Sequence, residues 1–215
     1  MNTYHDIPDT WCTQRLFLLV GANSLPNYVA ACLLVHERGT VHLIFTDEVA
    51  AICGELQDAI QKRLPEVTIR TYNVDNADSG EIRASLLKLV APMQANTKGE
   101  DVGLHYTGGT KVMSIHAYQI LAAAFPALVC TYLDAKELRL IRDEPSKVAS
   151  AVYVRDKCSV SLQEIAALHG YALPGPQQIQ SQAHAPQLLV TIRDLYSDRS
   201  TRTHWKEWTS QAGWT

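Results

Sequence analysis

The sequence lacks paired cysteines, long apolar runs and any excess of basic residues. Its five cysteines are scattered singly, without the CxxC spacing of zinc sites or disulfide frameworks, which favours a reducing cytoplasm. No apolar stretch approaches the roughly 18 residues that span a bilayer, and the N-terminus has neither part of a signal peptide. We therefore expect a soluble, cytoplasmic protein. The formal net charge of −3 excludes a broad basic face, so an anionic ligand would need a local array of donors.

What the sequence does contain is a regular alternation of strand-like and helical patterns. Continuous apolar runs such as RLFLLVG (15–21) and VHLIFT (41–46) are typical of strands buried on both faces of a parallel sheet. Helical patterns follow the runs after short connections; the first, NYVAACLLVHERG, is predicted to end at Gly39. The later runs ALVCTYLD and LRLIR are predicted as a hairpin. This order predicts an α/β fold, a doubly wound, mostly parallel Rossmann-like sheet with helices on both faces.

The composition changes after about residue 157. Ser161 and Glu164 form the pattern of a capping box, which predicts a short helix that ends at Gly170. Residues 174–186 are rich in Pro, Gln and Ala and read as a linker, and the last eleven residues contain three tryptophans. We therefore predict a Rossmann domain over residues 1–157 and a helical linker or extension over residues 158–215.

The turn in LHYTGGTKVMS is the first candidate functional feature. Gly108 and Gly109 stand between Thr107 and Thr110, with Lys111 directly behind them. Backbone N–H groups bare of side chains, the positive end of the next helix and the lysine together predict an anion site. The alternative is a tight β-to-α turn in which Thr110 only caps the helix. A cation in the first turn costs about 0.3–1 kcal/mol, which is easier to explain if an anion binds there.

A second polar loop, VGANSLPNYVAA, follows the first strand. It carries Gly21, Asn23, Ser24 and Asn27, which we expect at the same sheet edge as the glycine turn, because ligands bind at the carboxyl ends of parallel strands. Alternatively, Asn23 and Ser24 only form a turn before Pro26 starts the helix. The dinucleotide pattern GxGxxG and the P-loop pattern are both absent, so a nicotinamide enzyme is the weaker interpretation.

The segments LVGANSLPN, LHYTGGTKVMS and TYLD, in this order, resemble the CRISPR-associated Rossmann fold (CARF) domains over about residues 15–170. The most similar subgroup places such a domain before a nuclease, an adenosine deaminase or another effector. The resemblance implies a homodimeric sensor that binds a cyclic oligoadenylate, tetraadenylate first and hexaadenylate second, across the dimer two-fold axis in type III CRISPR antiviral defence. It implies that an effector domain follows this domain. It also implies that this domain needs no metal or cofactor and has no membrane partner.

The resemblance also assigns roles to particular residues. Contacts to phosphate and ribose fall on the two loops, at Gly21, Asn23, Ser24, Asn27, Thr107, Gly108, Gly109, Thr110 and Lys111. Thr46, Asp47 and Asp75, which follow the second and third strands, are assigned to adenine edges. Some domains of this family cleave their ligand, and Lys111 and Thr110 would then stabilise charge during attack of a ribose hydroxyl on phosphate. A stand-alone nucleotide-binding enzyme is the other alternative. His105 is interpreted as a hydrogen-bonded core residue instead of a general base.

Overall fold

The computed structural model describes residues 7–74, 79–94, 101–143, 149–154 and 157–173, together with Gln187 and Val190. The chain divides into two compact units, residues 1–173 and residues 174–215. Of the second unit only Gln187 and Val190 are described, and both are helical. The linker, the C-terminal helix and the tryptophan-rich end predicted from the sequence therefore lie outside the described residues.

The described part of the first unit contains one seven-stranded sheet. Its strands are β1 (Thr13–Leu19), β2 (Val35–Phe45), β3 (Thr68–Asn73), β4 (Val102–His105), β5 (Val129–Asp134), β6 (Arg139–Asp143) and β7 (Ser150–Tyr153). Their spatial order is β3-β2-β1-β4-β5-β6-β7. The first five strands run parallel, and β6 and β7 add antiparallel pairs at one edge. The predicted doubly wound, mostly parallel sheet is confirmed.

Five helices of the described residues cover both faces of this sheet: α1 (Leu25–Leu34), α2 (Ala50–Arg63), α3 (Ser79–Gln94), α4 (Lys111–Ala124) and α5 (Leu162–Leu168). Successive side chains of a strand point to opposite faces, so β1 contributes to two separate cores. Leu16 and Leu18 pack with α1, α2 and α5, whereas Phe17 and Leu19 pack with α3 and α4. This burial on both faces explains why RLFLLVG is continuously apolar.

The strand order reverses at the centre of the sheet. The chain leaves β1 for β2 on one side, and after β3 it returns to β4 on the other side of β1. The carboxyl ends of β1 and β4 are therefore neighbours at the topological switch point, where open α/β sheets bind ligands. These ends carry the two loops that the sequence analysis singled out.

One helix boundary differs from the prediction. The first helix ends at Leu34, and residues 35–39 already belong to β2, where Val35 pairs with Thr13. Arg38 has a φ of 62°, which marks an irregularity within the strand. A Cβ on Gly39 would lie 2.8 Å from Val35 Cγ2. Glycine is needed there for close packing within the irregular strand, and not as a helix cap.

The region after residue 143 is partly as predicted. The capping box of Ser161 and Glu164 is present, and α5 is followed by Gly170 with a φ of 72°. The short strand β7 was not predicted. In the described contacts α5 packs with α1 and α2, so it associates with the Rossmann sheet, and the domain boundary at residues 157/158 stays a prediction. No helix among the described residues is both long and apolar enough to cross a membrane.

Candidate functional site

The loops that follow β1 and β4 pack directly on one another. We call residues 21–24 the first rim and residues 107–111 the second rim. A Cβ on Gly21 would lie 2.8 Å from the backbone nitrogen of Gly109, and a Cβ on Gly108 would lie 2.1 Å from the carbonyl oxygen of Leu19. Gly109 also has a φ of 74°, which favours glycine. The glycines are therefore required by backbone contact between the rims, whatever binds above them.

Two threonine hydroxyls hold the second rim in place. Thr107 Oγ1 accepts a hydrogen bond of 2.7 Å from the backbone N–H of Leu133, which fastens the rim to β5. Thr110 is the N-cap of α4, and its Oγ1 accepts from the N–H of Met113 at 3.2 Å. The capping role considered for Thr110 is therefore present. Both hydroxyls use an acceptor lone pair within the protein, and α4 begins at the second rim, with Lys111 as its first residue.

The exposed donors at the rims are Lys111 and Asn23. The ammonium of Lys111 is exposed and donates to no group in the part of the chain that the structure describes. Asn23 is also exposed; its Oδ1 accepts from the N–H of Leu25 at 3.2 Å, and its amide nitrogen has no partner among the described residues. Two uncommitted N–H donors therefore stand beside a pair of tightly joined loops, as an anionic ligand would require.

Ser24 and Asn27 are placed differently from the other loop residues. Ser24 is 1% exposed and its hydroxyl donates to the carbonyl oxygen of Leu168 at 3.2 Å, on the side of α5. Asn27 is fully buried, and its Nδ2 donates to the carbonyl oxygen of Leu19 at 2.8 Å. Both side chains therefore have a structural role: Ser24 attaches α1 to α5, and Asn27 attaches α1 to β1. Their assignment to ligand binding stays a prediction.

The residues assigned to adenine edges lie farther along the same edge of the sheet. Thr46 is buried at the end of β2, and Asp47 is exposed and accepts a hydrogen bond from Asn73 at the end of β3. The backbone N–H of Val20 donates to the carbonyl oxygen of Ile44 at 2.8 Å. This bond continues the ladder beyond β1 and keeps this end in line with the first rim. Asp75 lies outside the described residues. The structure thus brings Asp47, but not the buried Thr46, to the accessible surface of this edge.

His105 and His42 do not supply an acid–base group at this site. His105 is fully buried on β4, where its Nδ1 lies 3.1 Å from Thr131 Oγ1. Burial lowers the pKa of His105 to about 3, so the ring is neutral near pH 7. His42 is stacked between Phe17 and Tyr72, and burial, with smaller effects from nearby arginines, lowers its pKa to about 4. The core interpretation of His105 is confirmed. Among the described residues no cluster of His, Cys, Asp or Glu could hold a metal ion.

Sequence reasoning missed three contacts that shape this edge. Tyr106, directly before the second rim, packs on Tyr132 with ring centroids 5.6 Å apart and donates to Asp143 Oδ2 at 3.1 Å. Asn73 binds Asp47 across the ends of β3 and β2. None of these three pairs has a local sequence signal, because the partners are at least 26 residues apart along the chain.

A cavity of about 670 Å³ lies between β3 and α3, lined among others by Arg70, Tyr72, Asn73 and Lys88. None of its lining residues belongs to the two rims. The switch point of the sheet, the N-terminus of α4 and the exposed Lys111 lie at the rims and not at this cavity, so the rims form the candidate site.

No protein-family model matches the sequence, and comparison with curated proteins gives no match. Solved structures do match. Can2 from Sulfobacillus thermosulfidooxidans, in complex with cyclic tetra-adenylate, is 15% identical with a TM-score of 0.60 over 75% of this chain. VC1899 from Vibrio cholerae is 13% identical with a TM-score of 0.61 over 73%. A type III CRISPR defence DNA nuclease activated by cyclic oligoadenylate is 18% identical with a TM-score of 0.55 over 93%.

At these identities the matches establish a shared fold. The Rossmann-like α/β fold that the resemblance implied is confirmed. The match covers 41% of Can2, 40% of VC1899 and 30% of the nuclease. This chain therefore spans less than half the length of the proteins it resembles.

Proposed function

We propose that the chain is a sensor domain that binds a cyclic oligoadenylate, with cyclic tetraadenylate as the first choice, and thereby regulates an effector in type III CRISPR defence. The observation that carries the proposal is the junction of the two rims at the switch point, with the uncommitted ammonium of Lys111 beside it. The shared fold supports the choice of ligand, because Can2 was solved with cyclic tetra-adenylate and the related nuclease is activated by a cyclic oligoadenylate.

The chemistry of the rims suits such a ligand. A phosphodiester ring carries repeated negative charges that need donors more than a basic surface, and the chain has a net charge of −3. Lys111, the amide of Asn23 and the N-terminus of α4 supply such donors in one place. Asp47 lies along the same edge and has carboxylate oxygens that can accept from the exocyclic amine of adenine.

Isothermal titration calorimetry tests the ligand. We expect heat on addition of cyclic tetraadenylate, with one ring bound per two chains, and none with NAD or ATP at the same concentration. Cyclic hexaadenylate in a parallel titration distinguishes ring size, and chromatography of the recovered ligand shows whether the ring has been cut. Binding of NAD or ATP without ring binding would reject the proposal in favour of a stand-alone nucleotide-binding protein.

The one-to-two ratio requires a homodimer, and we propose that it forms through the outer face of α4. This face exposes Val112, Ile115 and Tyr118, which are 40%, 56% and 37% accessible and spaced three residues apart. The stripe begins directly after Lys111, on the same helix. Two copies that pair through this stripe therefore bring their second rims towards a common two-fold axis, which gives a ring two equal sets of donors.

Replacement of the central residue of the stripe tests the dimer. Ile115→Glu removes buried apolar area and places a carboxylate in the interface, so we expect the dimer dissociation constant to rise on the order of 100-fold or more. Light scattering coupled to size-exclusion chromatography measures the change. Leu162→Glu on α5 is the matched control, since Leu162 is 66% exposed and lies on the other face of the sheet. An Ile115→Glu variant that remains dimeric excludes α4 as the interface.

A further inference from the structure

The cavity of about 670 Å³ between β3 and α3 takes no part in the site at the rims. Its size lies within the range of about 300–1,000 Å³ that is usual for small-molecule sites. It lies at one edge of the sheet, because β3 has no strand on its outer side among the described residues. On the helix side, α3 lines it with Ser85, Lys88 and Leu89. The cavity is therefore large enough for a small organic ligand.

A stack of three aromatic rings ends at this cavity. Phe17 on β1 lies against His42 on β2, with ring centroids 4.5 Å apart and planes inclined by 12°. His42 in turn lies against Tyr72 on β3, at 5.6 Å and 19°. His42 thus covers one face of the Tyr72 ring, and Tyr72 lines the cavity. A planar group in the cavity can therefore continue the stack on the other face of Tyr72, in the offset geometry that aromatic groups prefer.

Two cationic side chains line the same cavity. Arg70 stands two residues before Tyr72, so both side chains point to the same face of β3, and Lys88 lies across from them on α3. No acidic residue is found among the described residues that line the cavity, although the whole chain has 22 acidic and 19 basic residues. A purely cationic cavity in an acidic protein favours an anionic ligand.

Neither cation is neutralised by a carboxylate in the part of the chain that the structure describes. The ion pairs between described residues do not involve Arg70 or Lys88. On α3, the positions three and four residues from Lys88 hold alanine, serine and proline, so the helix offers no ion-pair partner at the usual spacing. Both charges are therefore available to a ligand, and the planar guanidinium of Arg70 can donate two hydrogen bonds to one phosphate.

We propose that the cavity between β3 and α3 binds a nucleoside monophosphate, with its base stacked on Tyr72 and its phosphate held by Arg70 and Lys88. Such a ligand joins a planar base to an anion through one sugar, which matches one ring face and two cations in a single cavity. Stacking on an aromatic side chain accepts every base, so the site selects for the planar group and the phosphate. Because both cations are exposed and screened by water, we expect a dissociation constant on the order of 1 mM. This binding is too weak to register at the concentrations that serve for cyclic tetraadenylate.

A nuclear magnetic resonance titration of the isotope-labelled full chain with AMP tests the site. We expect saturable shifts that centre on amides of β3 and α3. Ribose 5-phosphate, which lacks the base, should bind at least about 5-fold more weakly, and adenosine, which lacks the phosphate, about 10-fold more weakly. No saturable binding of AMP, equal affinity for ribose 5-phosphate, or shifts that centre on Gly108 and Gly109 of the second rim overturn the proposal.

The same chemistry is present in a free mononucleotide and at the phosphorylated end of an oligonucleotide. A dinucleotide with a 5′-phosphate, titrated in parallel, distinguishes these two sources. Binding at least as tight as that of AMP assigns the site to oligonucleotide ends, and weaker binding assigns it to free mononucleotides. Both results support a site for a base with its phosphate.

Matched variants locate the two halves of the ligand. Arg70→Gln should weaken AMP binding about 10-fold, whereas Arg83→Gln removes the same charge from the side of α3 that faces α4 and should bind like the wild type. Tyr72→Leu should lose the stacking contribution, and Tyr72→Phe should keep it. If the only role of Tyr72 were the contact of its hydroxyl with His42 Nδ1 at 3.2 Å, both Tyr72 variants would behave alike.

Equal AMP affinity of Arg70→Gln and Arg83→Gln, or of the two Tyr72 variants, overturns the proposal. The result is independent of the proposed sensor function. If the wild type does not bind cyclic tetraadenylate but binds AMP through Arg70, the sensor function fails and the site between β3 and α3 stands. If it binds cyclic tetraadenylate but not AMP, the reverse holds.

Discussion

Lys111→Ala should weaken binding of cyclic tetraadenylate by about 10- to 150-fold for each lysine that the ring loses, since this is the loss that accompanies removal of one charged hydrogen-bond donor. The physical reason is that the ammonium stands at the junction of the two rims and is not committed to any described protein group. Calorimetry on the purified variant measures the effect. Both copies in the dimer carry the substitution, so each bound ring would lose two such donors and the two factors multiply.

Lys111→Ala should not destabilise the fold. A cation in the first turn of α4 opposes the helix dipole, so alanine should leave Tm unchanged or slightly higher. Lys62→Ala is the matched control: Lys62 is exposed in the last turn of α2, which returns the chain to the edge of the sheet opposite the rims, and the variant should bind the ring like the wild type. If Lys111→Ala binds with wild-type affinity, the second rim is not part of the ligand site.

The parts of the fold that were predictable are those determined by short-range pattern. Strands buried on both faces read as continuous apolar runs, and α5 carries its capping box within four residues. The stretch from Val35 to Gly39 was misread because VHERG has no strand signal of its own. It becomes a strand only through pairing of Val35 with Thr13. The edge strand β7 is short and largely exposed, so it lacks the apolar run on which the other assignments rested.

The candidate site, like the fold, was predictable only where a short-range pattern determined it. The order of the loops along the chain, with the rule that ligands bind at the carboxyl ends of parallel strands, sufficed to place both rims on one edge. The hydrogen bonds that Ser24 and Thr107 make within the protein were not predictable. Ser24 binds a carbonyl 144 residues away, and Thr107 binds an N–H 26 residues away. Such contacts depend on the tertiary fold, which no local pattern encodes.

The contact between the rims yields the second large prediction, a strong loss of stability in Gly108→Ala. The new Cβ would lie 2.1 Å from the carbonyl oxygen of Leu19 and 3.3 Å from the backbone nitrogen of Gly21. Both are main-chain atoms, which cannot rotate away, so the second rim must shift. Such overpacking costs about 3 kcal/mol or more, and we expect Tm to fall by about 6–12 °C. Differential scanning calorimetry measures this fall.

Gly54→Ala makes the same chemical change where space is free. Gly54 is exposed within α2, and a Cβ there meets no atom within 4 Å. Alanine should raise stability at this position by about 0.5–1 kcal/mol, since glycine is unfavourable inside a helix. The expected change in stability therefore has opposite signs in the two variants, although each of them adds one methyl group. A Gly108→Ala protein as stable as Gly54→Ala would mean that the loops after β1 and β4 do not touch in solution. Without that contact the donors on the two rims would not be held together, and the geometric basis for ring binding would be lost.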